Sequence, residues 1–161
     1  MTHSLQQAPF NVVLIEPEIP QNTGNIARTC AITGAVLHLV EPMGFRLSSK
    51  QLSRSGCDYW EDVEIVRWPS AAAFFEAHGT DELHLFTGKT TKRMEEAAYH
   101  PGCYLLFGRE SRGIDQEYLD LYRENCVRIP MRPHERSLNL SNAVAIASYE
   151  ALRQNGYPGL E

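Results

Sequence analysis

Ile129-Pro130-Met131-Arg132-Pro133-His134-Glu135-Arg136-Ser137-Leu138-Asn139-Leu140-Ser141-Asn142-Ala143 is a stiff polar loop that runs directly into a helical segment nearly free of charge. Pro130 and Pro133 fix their own φ angles, which holds the loop's amides and carbonyls in place. Ser137, Asn139, Ser141 and Asn142 crowd the helix entrance with side chains that accept and donate hydrogen bonds. Such a loop suits a polar small molecule with an aromatic end, held against backbone groups. The plainer alternative is that Ser137 or Asn139 simply caps the helix. Further along, Leu140, Ala143, Val144, Ala145, Ile146, Ala147, Tyr149, Ala151 and Leu152 spread over more than one helix face. A helix apolar on most sides is buried on most sides. One face packs on a sheet, and a second copy of the chain, in a homodimer, is the expected cover for another.

Outward from this stretch, strand-length apolar runs alternate with helical patterns. Strands are predicted at residues 10–15, 36–40, 63–66, 83–87, 103–107 and 127–129. The helical patterns have recognisable ends. Asn22 or Thr23 caps a first helix that Gly34 ends, and Ser48 caps a short one ending at Gly56. Ser70 opens an alanine- and phenylalanine-rich helix that stops at Gly79, Asp115 caps one through Arg123, and the last helix covers residues 138–155. This alternation predicts an α/β fold with a mainly parallel sheet flanked by helices. No repeat, low-complexity tract or linker interrupts residues 1–161, which read as a single domain.

Hydrophobic residues make up 43% and charged residues 22% of the chain, the balance of a globular protein able to build a full core. Cys30, Cys57, Cys103 and Cys126 are far apart and form no CxxC pair, so the sequence predicts reduced, buried thiols and no metal. The N-terminal residues carry no basic start and no apolar core of a signal peptide, and no apolar run reaches membrane-spanning length. The expectation is a cytoplasmic protein with no membrane contact. The net charge of -5 argues against a nucleic-acid binder. Its distribution argues the other way, since Arg28, Lys89, Lys92, Arg93, Arg109, Arg112, Arg128, Arg132 and Arg136 fall near polar loops. A local basic cleft on an acidic body attracts phosphates; scattered solvated charge is the equal alternative.

Common catalytic signatures fail. Gly88-Lys89-Thr90 ends like a phosphate loop, but Leu83 stands where its first glycine belongs. The first strand is followed by no GxGxxG, and residues 108–113 space their serine wrongly for a nucleophile elbow. The six histidines form no cluster in the sequence and read as surface or loop residues. What survives is a set of three polar loops, each following a strand: after Ile15, after Phe107 and after Ile129. In parallel sheets ligands bind beyond the carboxyl ends of the strands, so the three loops are expected to converge on one site.

Four motifs identify a family resemblance. They are Val13-Leu14-Ile15-Glu16-Pro17-Glu18-Ile19-Pro20-Gln21-Asn22-Thr23-Gly24-Asn25, Glu41-Pro42-Met43-Gly44-Phe45, Gly108-Arg109-Glu110-Ser111-Arg112-Gly113 and Ser137-Leu138-Asn139-Leu140-Ser141-Asn142-Ala143, with Tyr157-Pro158-Gly159 near the end. The chain resembles the SPOUT methyltransferases, the trefoil-knotted class that uses S-adenosyl-L-methionine. More narrowly, it resembles the small TrmL/YibK-type tRNA 2′-O-methyltransferases that act on the wobble cytidine or modified uridine of leucine isoacceptors.

The resemblance implies a C-terminal trefoil knot and a cofactor site near Phe86, Thr87, Gly108, Ile129, Met131, Ser137 and Leu138. Gly108, lacking Cβ, would let the backbone approach the cofactor closely. It also makes Arg28 the central catalytic residue. A guanidinium accepts no proton, so the expected role of Arg28 is to hold the phosphate beside the target ribose and stabilise charge developing on its oxygen. Asn25, Glu110, Ser137 and Asn139 would orient ribose, cofactor and Arg28. Lys89, Arg109, Arg112, Arg132 and Arg136 are expected to line the approach of the tRNA anticodon loop. Methylation of ribosomal RNA or of another tRNA position is the alternative within the enzyme class. A non-catalytic dimeric RNA-binding protein is the alternative outside it.

Overall fold

The computed structural model describes residues 7–46 and 60–161. Phe-Asn-Val-Val-Leu-Ile forms β1 (Phe10–Ile15), six residues buried on both faces. Such a run belongs at the centre of a parallel sheet. It pairs with β2 (Val36–Val40) on one side and β5 (Cys103–Phe107) on the other. Outside these lie β3 (Ile65–Trp68), β4 (Leu83–Phe86) and β6 (Cys126–Val127), in the order β3-β2-β1-β5-β4-β6, every pairing parallel. The chain winds outward from β1 to β3, then crosses to the other flank. The winding therefore reverses between β1 and β5, which opens a crevice beyond their carboxyl ends.

Side chains alternate between the two faces. Phe10, Val12, Leu14, Leu37, Leu39, Leu105 and Phe107 pack against α1 (Pro20–Thr33) and α4 (Leu140–Gln154). Val13, Ile15, Val40, Leu83, Leu85 and Leu106 pack against α2 (Ala71–His78) and α3 (Gln116–Leu121). Among the described residues no helix is long and apolar enough to cross a membrane.

The boundaries that differ from expectation have local causes. Asn22 and Thr23 do not cap α1; they are buried inside its first turn, because Pro20 already occupies the opening position. Proline there has a helical φ and lacks the N–H that a cap would satisfy. Gly34 ends α1 in the left-handed conformation, as expected. β3 lies two residues later than predicted, because its pairing sets Ile65 against Leu37 and Trp68 against Val40, leaving Val63 to pack on the core from outside the strand. β4 stops at Phe86, and β6 is confined to the two residues that pair with Leu85 and Phe86. α3 ends at Leu121 and gives way to a 3₁₀ turn, and Asp115 makes no capping bond. α4 begins at Leu140 rather than 138. The helix expected from Ser48 to Gly56 lies outside the described residues, as does Cys57. Cys30, Cys103 and Cys126 are buried free thiols.

Two histidines expected at the surface are inside. His38 is 4% and His84 6% exposed. His38 sits in a ring cluster with Trp68, Phe74, His78 and Tyr104 beneath α2. The indole N–H of Trp68 donates to His38 Nδ1 at 3.0 Å, so that nitrogen is unprotonated, and Nε2–H donates to Asn11 Oδ1 at 3.0 Å. Asn11 Nδ2 donates in turn to the Gly102 carbonyl at 3.0 Å. Burial, with the neighbouring His78 adding to it, lowers the His38 pKa to about 4.

Candidate active site

A cavity of about 730 Å³ opens at the carboxyl edge, between the loops after β1, β4, β5 and β6 and the entrance to α4. All seven residues expected near a cofactor line it: Phe86, Thr87, Gly108, Ile129, Met131, Ser137 and Leu138. Its floor is the stacked pair Phe86 and Phe107, with ring centroids 4.8 Å apart, at the ends of β4 and β5. The volume is that of a typical small-molecule site, roughly 300–1,000 Å³.

One wall is a hairpin closed by backbone bonds between Arg109 and Gly113, with Gly113 N donating to Arg109 O at 2.8 Å. A Cβ on Gly108 would collide with the Gly113 and Ile114 backbone. The space that glycine leaves is therefore filled by the chain itself, not by an approaching ligand as the sequence suggested.

The hairpin and the loop after β1 grip each other reciprocally. α1 has no side-chain cap and no acid in its first turn. Glu110 provides the missing acceptor across the molecule: its carboxylate accepts from Glu18 N at 2.8 Å and Ile19 N at 3.3 Å. A carboxylate is favoured at a helix N-terminus, where the dipole and free N–H groups meet it. Glu18 returns the contact, accepting from Ser111 N at 2.9 Å and Ser111 Oγ at 2.7 Å. These bonds from Ser111 hold the Glu18 carboxyl below its usual pKa. Glu110 is thus committed to backbone rather than to Arg109 or Arg112. Arg109, expected on the RNA approach, lines the cavity. Its guanidinium is clamped between Glu16 and Asp115 with the side chain only 18% exposed, so its charge is spent inside the loop cluster.

The entrance to α4 is pinned in the same manner. Asn139 is the cap: its Oδ1 accepts from Ser141 N at 2.9 Å, Ser141 Oγ at 2.6 Å and Asn142 N at 3.4 Å. Its Nδ2 donates to Asn22 Oδ1 at 3.1 Å, tying the starts of α4 and α1 together. The structural and functional readings of Asn139 therefore coexist, since the capping residue also lines the cavity.

Glu110, Ser137 and Asn139 share the cavity with the seven residues expected near a cofactor, whereas Asn25 and Arg28 do not line it. Both lie on the exposed face of α1, in line with Gln21 and Ile32. Lys89, Arg112 and Arg136 line the rim, and Arg132 is exposed outside it. Sequence reasoning brought the loop after β1 to the site but gave no role there to Glu16, Glu18 or Ile19, and read Asn22 as a cap rather than as the partner of Asn139. The available signal was Glu16-Pro17-Glu18-Ile19-Pro20, a helix start with Pro at the first position and neither cap nor acid of its own.

Residues 9–149 match the SpoU rRNA Methylase family. The chain belongs to that family. The tRNA (cytidine(34)-2'-O)-methyltransferase of Escherichia coli K12 is 51% identical over 151 residues, covering 93% of this chain and 96% of that one. A structure described in terms of 2-OH methylation of C/U34 on tRNA is 45% identical, with a TM-score of 0.86 over 92% of this chain and 97% of that one. A SpoU methyltransferase of Streptomyces viridochromogenes, solved in complex with AdoMet, is 26% identical, with a TM-score of 0.78 over 94% of this chain and 62% of that one. The α/β architecture with its parallel sheet is that of the trefoil-knot methyltransferases, and the relatives are of the TrmL/YibK type.

As a SpoU methylase cavity, the site fits S-adenosylmethionine chemically. Ile129, Met131 and Leu138 offer apolar walls for an adenine, next to the backbone groups of a proline-stiffened loop. Thr87 and Ser137 add hydroxyls for the polar remainder of the molecule.

Proposed function

We propose that the chain methylates the ribose 2′-hydroxyl of wobble nucleotide 34, cytidine or modified uridine, in leucine tRNAs of the cytoplasm, using S-adenosylmethionine and acting as a homodimer. The observation that carries this reading is one carboxyl-edge cavity lined by all seven expected cofactor residues together with Glu110, Ser137 and Asn139. The 51% identical E. coli relative, named for methylation of cytidine 34, supports the choice of substrate.

When bound, the cofactor would supply a sulfonium methyl group to the ribose 2′-oxygen; the C–S bond breaks, the neutral thioether S-adenosylhomocysteine leaves, and the hydroxyl proton passes to solvent. The protein's task is alignment and charge placement. Ser137 and the amides of residues 129–138 hold the donor, and the Glu110 and Asn139 clamps keep the two helix entrances from drifting. Alignment of this kind is worth about 7–11 kcal/mol in favourable cases. Arg28 holds the phosphate beside the target ribose and steadies negative charge on the attacking oxygen. Lys89, Arg112 and Arg136 attract the anticodon loop to the rim, whose single-stranded bases can be splayed to present a sugar.

The homodimer places Arg28. Within one chain Asn25 and Arg28 stand outside the cavity, on a face of α1 that also exposes Ile32 at 54%, while α4 exposes Ile146 and Tyr149. Covering these apolar side chains with a second copy brings one subunit's α1 face toward its partner's cavity. A mixture of Arg28→Ala and Ser137→Ala chains is then expected to regain activity that neither has alone; no recovery rejects the shared site. The identifying experiment is methyl transfer to total tRNA with mapping of the product. Methylation of the wobble ribose is expected. A methyl on another tRNA position or on ribosomal RNA overturns the substrate, and no transfer to any RNA overturns the enzyme.

A further inference from the structure

At the opposite edge of the sheet, far from the cavity loops in strand direction, three metal-ligating side chains meet. The carboxylate of Glu82, the imidazole of His84 at the start of β4 and the thiol of Cys103 at the start of β5 have donor atoms within 4.8 Å of one another. Glu82 Oε2 lies 2.9 Å from His84 Nε2. His100 stands at the rim with Nδ1 against Glu82 Oε1, and its backbone N–H donates to Glu82 Oε2 at 3.0 Å. We infer that Glu82, His84 and Cys103, with His100 as fourth donor, form a structural zinc site.

The donor set decides the cation. One thiolate, imidazole nitrogen and one carboxylate oxygen suit zinc, which takes four such ligands tetrahedrally. Magnesium and calcium prefer all-oxygen sites and are disfavoured by the sulfur. A tetrahedral zinc holds its donors about 3.5 Å apart, so the hydrogen-bonded Glu82–His84 pair, at 2.9 Å, opens slightly while the widest pair, within 4.8 Å, closes by up to about 1 Å, both within reach of side-chain rotation. His84 is already oriented: Tyr99 packs against its ring with centroids 4.3 Å apart. The hydrogen bond from the His100 backbone fixes the carboxylate in the same way, an outer-shell arrangement common around metals. Cys103 and His84 are buried, while the His100 side chain is 72% exposed, so an ion enters past His100. Coordination displaces the thiol proton of Cys103 to solvent. The sequence concealed this site because its donors lie at E-x-H and, after fifteen residues, H-x-x-C, a spacing of no zinc motif.

The corner is worth crosslinking. Asn155, beyond the end of α4, donates to the Tyr99 carbonyl at 2.8 Å, and Gln154 binds the Tyr99 amide at 3.0 Å, so a metal here would join β4, β5 and the tail of α4.

The test uses the whole chain, stripped with chelator and titrated with Zn²⁺ against a chromophoric competitor, then with Co²⁺ for its spectrum. One zinc per chain, bound at micromolar concentration or tighter, is expected, with a rise in Tm. A thiolate-to-cobalt absorption band is expected that Cys103→Ser abolishes. Because Cys30, Cys57 and Cys126 remain in that variant, a surviving band overturns the assignment. The exposed His100→Ala substitution should weaken binding about tenfold or more while leaving the circular dichroism unchanged; unchanged affinity overturns the fourth ligand. Absence of zinc binding to the native chain overturns the site.

Discussion

The loops at the carboxyl edge and the ring cluster beneath α2 satisfy their polar groups by opposite means. At the edge, backbone amides are met by side chains from distant loops: Glu110 reaches Glu18, and Asn139 reaches Asn22. A cavity remains between the partners. Under α2, polar side chains meet each other in a direct line from Trp68 through His38 to Asn11. The edge depends on backbone shape and the cluster on protonation. A substitution or a change of pH should therefore disturb one and spare the other.

The sharpest separation is Gly108→Val. The added side chain strikes the backbone of residues 113 and 114, so the hairpin cannot close. S-adenosylmethionine affinity should fall about 100-fold or more, on the order of 3 kcal/mol, as read by calorimetry, with the ring cluster's near-ultraviolet dichroism unchanged. Wild-type affinity would mean that the hairpin does not form the cavity wall.

Acid should act on the other region. His38 is neutral in the fold with its pKa near 4, while the unfolded side chain titrates near 6.5. The unfolded chain then binds the extra proton first. Stability is whole above pH about 6.5 and is lost as the pH falls toward 4, by about 3 kcal/mol from this residue. Urea unfolding across that range should show a slope that His38→Gln reduces, the buried His84 contributing in the same direction. A slope unchanged in the variant would assign the acid sensitivity to other groups.

A smaller effect tests the link between the helix entrances. Asn139→Ala removes the α4 cap and leaves Asn22 Oδ1 without its donor, which should cost about 1–2 kcal/mol. Asn22→Asp should restore nothing, since it supplies an acceptor where a donor is missing. A loss confined to cofactor affinity, with Tm unmoved, would show that the cap is dispensable.

The sheet's centre was legible because β1, β2 and β5 are largely apolar runs, broken only by the mutually bonded Asn11 and His38 and by the half-buried Tyr104. β3 and β6 were displaced because pairing with β2 and β4 chose their register, and no residue within them announces it. The residues that line the cavity were legible through family resemblance joined to a proline-stiffened loop. Their supports were not. Glu18 and Ser111 are 93 residues apart and Asn22 and Asn139 are 117 apart, so neither pair leaves a local pattern. The buried histidines were misjudged for the same reason: His38 meets Trp68 only once β2 and β3 lie side by side, and His84 meets Tyr99, fifteen residues on, only in the folded chain.

The Asn22–Asn139 bond joins the beginning of the chain to its last helix, and this orders events in time. A nascent polypeptide can assemble β1 through β5 early, yet its methyl-donor pocket is unfinished until α4 arrives and docks on α1. Non-local closure of this sort is slow compared with local helix formation. Any product cut short before residue 139 would therefore carry a sheet without a working pocket, and competence appears only once α4 has been made.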